Sequence, residues 1–114
     1  VLKNSFIDIV EFSVAPQVSP PHGLPYHEWF IEFRTFPKDM EEFSKSLDLS
    51  IQDQNSYYRD LIEGKILRTL QITVIKEKGF QEYMKSIGKL GGQNKVPRLS
   101  NDRKLADNLI KFSI

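Results

Sequence analysis

The chain has 114 residues, the length of one compact domain, and its net charge of +1 gives no overall attraction to nucleic acid or to a membrane surface. It contains no cysteine, which excludes disulfides, thiolate metal sites and cysteine nucleophiles and fits a cytoplasmic protein. No apolar run approaches the roughly 20 residues that a membrane-spanning helix needs.

The sequence begins Val1-Leu2-Lys3, without an initiator methionine, and enters a strand-like pattern almost at once. We therefore expect residues 1–114 to form a single domain excised from a larger protein.

The first predicted strand covers residues 5–14, where Val10, Phe12 and Val14 alternate with polar residues. Four of the six prolines then lie within residues 16–25. Proline interrupts regular structure, so this segment is predicted to be a long loop between two strands of one sheet.

The second predicted strand covers residues 26–36. Its apolar side chains alternate with charged ones and are expected in the core; they are Trp29, Ile31 and Phe33. Glu28 and Glu32 share the opposite face, with Phe30 as an exception to the alternation. Two carboxylates on one face could act as an acid–base pair, but the pattern favours an exposed polar face.

A helical pattern follows, starting at a capping-box-like pair, Asp39 and Glu42, and ending at Gly64 as the C′ residue. A polar patch near residue 54 leaves open one bent helix or two joined helices. The third strand, residues 67–76, comes after this helical crossover, which predicts βαβ connectivity.

Two further helices complete the predicted domain. One runs from Phe80 to Leu90 and is closed by Gly91-Gly92; the other carries Leu105, Leu109 and Phe112. The predicted fold is α+β, with a small, mostly antiparallel three-stranded sheet and helices packed on one face.

The segment between these two helices concentrates positive charge. Within residues 85–104 a single acid, Asp102, accompanies six cationic residues: Lys85, Lys89, Lys95, Arg98, Arg103 and Lys104. A glycine-containing, cationic loop that presents many hydrogen-bond donors suits an anion, and phosphate is the commonest candidate.

Four segments of the chain carry a family resemblance: Gln54–Arg59, Leu70–Val74, Gly79–Met84 and Gln93–Arg98. Their order and spacing resemble the C-terminal domain of the auxin-responsive (Gretchen Hagen) acyl-acid amido synthetases, and most closely the bacterial members. The likeness covers roughly residues 26–110 and is most specific in its last segment.

The resemblance implies a two-domain, adenylate-forming ligase. A large N-terminal domain would bind ATP, Mg²⁺ and a carboxylic acid, and this small domain would swing over the site for adenylation and then for transfer to an amine. The expected partners are that large domain, the acyl acid and the amine, with no nucleic acid and no membrane. The fragment alone is expected to bind no cofactor and to be inactive.

Lys95 is the expected catalytic residue, because a positioned ammonium stabilises the negative charge that develops on phosphoryl oxygens. Tyr58 and Arg59 are assigned to the interdomain contact. The residues assigned to the nucleotide or phosphate loop are Gly91, Gly92, Gln93, Asn94 and Arg98.

Each assignment has a structural alternative. Lys95 could be a solvated loop lysine, and the two glycines could simply end a helix. Arg98 could form an ion pair with Asp102 or Glu82. Tyr58 is expected to favour the core, and Arg59 an interdomain or surface salt bridge.

Other functional classes stay open at this stage. A small binding module could hold RNA or a phosphorylated partner through the basic loop, although the aromatic residues lie at core spacing and do not interleave with the cations. A dimerisation domain would show an apolar sheet face free of helices. His22 and His27 lack a third ligand at metal spacing, so no metal site is predicted.

Overall fold

The computed structural model describes residues 7–18, 23–88, 96, 98–100 and 103–114. Within these ranges there are three strands, four α-helices and a final 3₁₀ turn. In chain order they are β1 (Asp8–Gln17), β2 (Tyr26–Thr35), α1 (Met40–Gln54), α2 (Ser56–Glu63), β3 (Gln71–Ile75), α3 (Gly79–Ser86), α4 (Lys104–Leu109) and the 3₁₀ turn (Ile110–Phe112).

The three strands form one mixed sheet in the order β1-β2-β3, with β2 in the centre. β1 pairs with β2 in an antiparallel register that sets Val14 opposite Trp29. β2 and β3 are parallel, because the chain crosses over through α1 and α2 before it returns. The predicted α+β class, the mostly antiparallel sheet and the βαβ connection are confirmed.

Helices cover both faces of the sheet, which corrects the expectation of one covered face. On the first face, which we call the α1 face, Ile31 and Phe33 of β2 pack against Phe43 of α1. On the second, the α3 face, the buried core contains residues of all three strands and of both later helices: Ala15, Phe30, Ile75, Phe80, Tyr83, Met84, Val96, Ala106 and Leu109. A central strand buried on both faces explains why Phe30 broke the predicted alternation.

The alternation of β1 shifts at its start. The pairing with β2 is irregular between Asp8 and Glu11, as in a β-bulge, and Val10 is 43% exposed. Ile9, rather than the predicted Val10, joins Phe12 on the α1 face. An extra residue in one strand moves every preceding side chain to the other face, and hydrophobic alternation alone does not reveal it.

The long helical pattern is two helices that meet at Asn55. Asp39 caps α1 as predicted, since the Glu42 N–H donates to its carboxylate at 3.1 Å. The Asn55 side chain accepts from the Tyr58 N–H at 3.1 Å and so starts α2 at once. A side chain that caps a new helix interrupts the old one.

The end of α2 differs from the prediction by one residue. Gly64 has φ −78°, whereas Lys65 adopts the left-handed conformation with φ 56°. The N–H of Lys65 donates to the Ile62 carbonyl and that of Ile66 to the Leu61 carbonyl, the pair of bonds that defines a Schellman motif. Lys65 therefore occupies the C′ position that was assigned to Gly64.

Backbone pairs extend the sheet at both outer strands. Val14 of β1 forms a parallel bridge with Leu99, and Ile75 of β3 forms an antiparallel bridge with Ser113. None of the helices in the described ranges is long and apolar enough to cross a membrane.

Replacing Lys65 by glycine should stabilise the domain. A non-glycine residue in the left-handed region costs about 1–2 kcal/mol, part of which is offset by the larger unfolded-state entropy of glycine, so we expect a gain of about 0.5–1 kcal/mol in the free energy of unfolding. Urea denaturation measures it. Lys65→Ala keeps a Cβ at the same φ and serves as the control; an equal gain for alanine would contradict the explanation.

Candidate functional site

The two glutamates of β2 are buried, which corrects the expectation of an exposed polar face. Glu28 is 7% exposed and Glu32 is 5% exposed. Both point to the α3 face, beside Phe30. A buried carboxylate needs a cation or several hydrogen-bond donors to offset its lost hydration, and each glutamate has such partners.

Glu32 binds the amino terminus of α3. Its two carboxylate oxygens accept from the N–H groups of Lys78, at 3.0 Å, and Phe80, at 3.2 Å. The first N–H groups of a helix lack partners within the helix, and Lys78 provides no side-chain cap, so a carboxylate from the sheet satisfies them and complements the helix dipole. The close approach also requires Gly79, where a Cβ would lie 2.4 Å from Ile75 Cγ2.

Glu28 binds the residue that precedes α4. Its Oε1 lies 2.8 Å from Arg103 Nη1, and both side chains are largely buried. The other oxygen, Oε2, accepts from the Thr73 hydroxyl of β3 at 2.5 Å. Arg103 also donates to the Pro16 carbonyl at 3.4 Å and lies 3.7 Å from Asp107. Both β2 carboxylates thus have partners within the fold, which argues against an acid–base pair.

Arg98 is attached to β1. Its Nη1 donates to Glu11 Oε1 and, at 3.3 Å, to the Phe12 carbonyl. The guanidinium lies 4.5 Å from the centre of the Phe12 ring, which in turn stacks on Trp29 at 5.5 Å. The ion-pair partner of Arg98 is therefore Glu11.

Glu82 and Asp102 were the two ion-pair partners considered for Arg98 from the sequence. Glu82 forms an ion pair with Lys76, at 3.5 Å. Asp102 lies outside the described residues.

The five assigned loop residues that include the expected catalytic lysine also lie outside the described residues; they are Gly91, Gly92, Gln93, Asn94 and Lys95. The described residues around them are fixed to the sheet. Val96 is buried in the core on the α3 face, Arg98 pairs with Glu11, and Arg103 pairs with Glu28. We call Glu11, Glu28 and Glu32 the acid anchors, because each holds an element that flanks this segment.

Tyr58 is buried on the other side of the sheet from Glu28 and Glu32. Its ring stacks on His27, which shares the α1 face with Trp29. Its hydroxyl donates to Asp48, a buried residue of α1 whose carboxylate also accepts from the Leu70 N–H at 3.1 Å. This contact ties α1, α2 and the start of β3 together.

Burial and the Asp48 carboxylate set the protonation of this cluster. Burial raises the pKa of Tyr58, and the hydrogen bond to Asp48 raises it further. Burial lowers the pKa of His27, and Asp48 opposes that shift only in part. Tyr58 is therefore a protonated donor throughout the neutral range.

Arg59 follows Tyr58 but faces outward. Its guanidinium lies 3.9 Å from Glu63 one turn later, and about half of its side chain is exposed. Within the described ranges no group of three histidine, aspartate or glutamate residues could hold a metal ion.

The profile of the GH3 family C-terminal domain matches residues 1–104, nearly the whole chain. The chain belongs to the GH3 family. The resemblance stated from the sequence is thereby confirmed at the level of the family, while a bacterial source stays a prediction.

Solved structures of GH3 proteins share the fold. One is described as "GH3.15 acyl acid amido synthetase", with a TM-score of 0.75, 22% identity and 96% of this chain covered. Another, "AtGH3.15 acyl acid amido synthetase in complex with 2,4-DB", has a TM-score of 0.72, 18% identity and the same coverage. The chain spans about a fifth of the length of each, 20% and 21%. No curated protein matches.

In this GH3 domain, three of the four segments that carried the resemblance hold the fold together. Asn55 caps α2, Leu70 donates to Asp48, and Gly79 allows α3 to approach β3. Asn55 and Gly79 act through their residue types, a capping side chain and the lack of a Cβ, whereas Leu70 acts through its backbone N–H.

Sequence reasoning missed Asp48 and the anchoring role of Glu11, Glu28 and Glu32. Asp48 had a detectable signal, since it lies within the apolar stripe between Leu47 and Ile51. Glu28 and Glu32 had a weaker one, since they flank the buried Phe30 on the same face of β2. Arg103 had no sequence signal, because its partner, Glu28, is distant in the sequence.

Replacing Glu32 by glutamine should destabilise the domain. The substitution removes the charge and one of the two acceptors at the start of α3, so we expect a loss of about 1.5–3 kcal/mol in the free energy of unfolding. Urea denaturation measures it. Glu77→Gln, an exposed neighbour just before α3, is the control; equal losses would argue against the capping role.

Tyr58→Phe should also destabilise the domain, by about 1–3 kcal/mol, because it leaves a buried Asp48 oxygen short of a donor. The pKa of Tyr58 is raised in the folded state, so its contribution is complete below the ordinary tyrosine pKa of 10 and decreases as the pH rises above that value. The free energy of unfolding of the wild type and of Tyr58→Phe, measured from pH 7 to pH 11, tests both the loss and its pH dependence. The matched control is Tyr57→Phe, because Tyr57 is 72% exposed; a loss there of the same size would contradict the assignment.

Proposed function

We propose that this domain is the C-terminal mobile part of an ATP-dependent acyl-acid amido synthetase. In that enzyme an acyl acid is first activated as an acyl-adenylate, and the acyl group is then transferred to an amine or amino acid. The family membership supports the reaction class, and the structural neighbours named as acyl acid amido synthetases support it further. The large N-terminal domain, ATP, Mg²⁺, the acyl acid and the amine are the proposed partners.

The observation that carries the proposal is the attachment of the segment around Lys95. α3 before it is capped by Glu32, and Val96, Arg98 and Arg103 after it are fixed to the core or to β1 and β2. A loop whose two ends are held by rigid elements can present a side chain to a neighbouring domain at low entropic cost.

The proposed catalytic contribution of Lys95 is electrostatic. At about 4 Å and an effective dielectric constant near 20, an ammonium and a phosphoryl charge interact with about 4 kcal/mol. If that interaction forms only in the transition state, its ceiling is about a thousandfold in rate.

The other loop residues have supporting roles in this proposal. The backbone N–H groups at Gly91 and Gly92, with the side chains of Gln93 and Asn94, are proposed to approach the phosphates. Arg59 of α2, whose side chain is half exposed, is the proposed interdomain contact. Tyr58 supports that surface from inside through Asp48.

A phosphate- or RNA-binding module receives less support. Most aromatic residues contribute to the two cores, so they do not form a stacking surface beside the basic loop. Two of the six cations near that loop, Arg98 and Arg103, are paired with glutamates of the sheet.

Lys95→Ala in the complete enzyme should slow ATP–pyrophosphate exchange by about a hundredfold or more. Lys45→Ala, on the exposed side of α1, should leave the exchange rate unchanged. The isolated domain should catalyse no exchange, because the nucleotide site belongs to the other domain. Wild-type exchange by the Lys95 variant would remove this residue from the mechanism.

A further inference from the structure

We propose that Arg98 is a positioning residue of the amido synthetase rather than a ligand of its nucleotide. Held by Glu11 and Phe12, it fixes residues 98–100 along the outer edge of β1 and thereby sets the end of the loop that carries Lys95. This inference rests on the proposed function, since it concerns how the same loop is presented.

The attachment combines side-chain and backbone contacts. The Val14 N–H donates to the Arg98 carbonyl at 2.9 Å, and the Ser100 N–H donates to the Val14 carbonyl at 2.8 Å. The Arg98 guanidinium adds its bonds to Glu11 and to the Phe12 carbonyl, and it covers the Phe12 ring. Residues 98–100 thus extend the sheet by a short stretch of backbone.

Within residues 98–100 apolar burial contributes little to this attachment, whereas Val96 is buried in the core on the α3 face. Leu99, the residue that bridges to Val14, is 71% exposed. Two backbone bonds at an exposed edge open easily on their own. The Arg98 side chain therefore adds contacts that hold residues 98–100 on β1, beyond the point where Val96 is buried.

The charge at Arg98 is also poorly suited to hold a phosphate. Glu11 Oε1 lies against the guanidinium, and the Glu11 side chain is mostly buried, at 23% exposure. A carboxylate in contact with the guanidinium offsets its charge and repels a second anion. The pair itself is partly solvated, since 57% of the Arg98 side chain is exposed, so its loss should affect the local segment without unfolding the domain.

The test uses charge reversal in the complete enzyme: Arg98→Glu, Glu11→Arg and the double variant that swaps the two charges. ATP–pyrophosphate exchange gives kcat and the KM for ATP, and hydrogen exchange gives the protection of the Val14 and Ser100 amides. The matched control is Arg34→Glu, because Arg34 of β2 forms an exposed ion pair with Asp8 of β1 at 2.7 Å.

Each single reversal should lower kcat by about tenfold or more, with little change in the KM for ATP, because a misplaced loop loses rate rather than nucleotide binding. Both amides should exchange faster, while the midpoint of global unfolding stays unchanged. The double variant should recover most of the rate and the protection. Arg34→Glu should alter neither.

Three outcomes would overturn the inference. Arg98→Glu could exchange pyrophosphate at the wild-type rate although its amides lose protection. The double variant could recover protection without recovering kcat, or Arg98→Glu could raise the KM for ATP instead of lowering kcat; either result would make Arg98 a direct ligand.

Failure of the proposed function is recognised separately. Lys95→Ala should lower the exchange rate while the Val14 and Ser100 amides keep their protection. If Lys95→Ala and Arg98→Glu both exchange at the wild-type rate and only the second loses protection, Lys95 has no part in the mechanism and the Arg98 contact is structural only.

Discussion

Two buried carboxylates on the central strand determine where the helices of the α3 face begin. Glu28 and Glu32 lie on either side of Phe30, and each is removed from water. An unpaired charge in that position would cost several kcal/mol, so the fold is stable only when donors from later elements reach them. α3 reaches Glu32 with its first N–H groups, and Arg103 reaches Glu28 immediately before α4. β2 thereby fixes the start of α3 and the residue before α4, which lie on either side of Lys95.

This arrangement attaches the described residues on both sides of Lys95 to the sheet. Glu11 adds a third attachment through Arg98, and it lies opposite Glu32 in the pairing of β1 with β2. The acid anchors thus lie on two paired strands, while the groups they hold, two arginine side chains and the first N–H groups of α3, come from later parts of the chain. In the proposed enzyme, a rotation of the domain would carry these attached residues together with the sheet.

The sequence predicted the parts of this fold that depend on local pattern. Strand and helix types, the Asp39 cap and the crossover to β3 all follow from spacing and end signals, and they are confirmed. The second covered face of the sheet was missed because a glutamate on a strand normally indicates solvent. Here the two glutamates are buried because they bind groups that are distant in sequence. Such tertiary contacts cannot be predicted from the local pattern. The bulge at Val10 and the left-handed Lys65 were missed because neither position carries glycine.

The backbone bridges at Leu99 and Ser113 limit how such a domain can associate with another domain. At Val14 and Ile75, positions where an outside strand could have joined the sheet, the chain supplies its own partners. Association there has to proceed through side chains, whose contacts form and break one at a time and can be exchanged for others. A domain that alternates between two docked orientations needs reversible contacts of that kind. Backbone hydrogen bonds between strands of two domains would hold it in a single orientation.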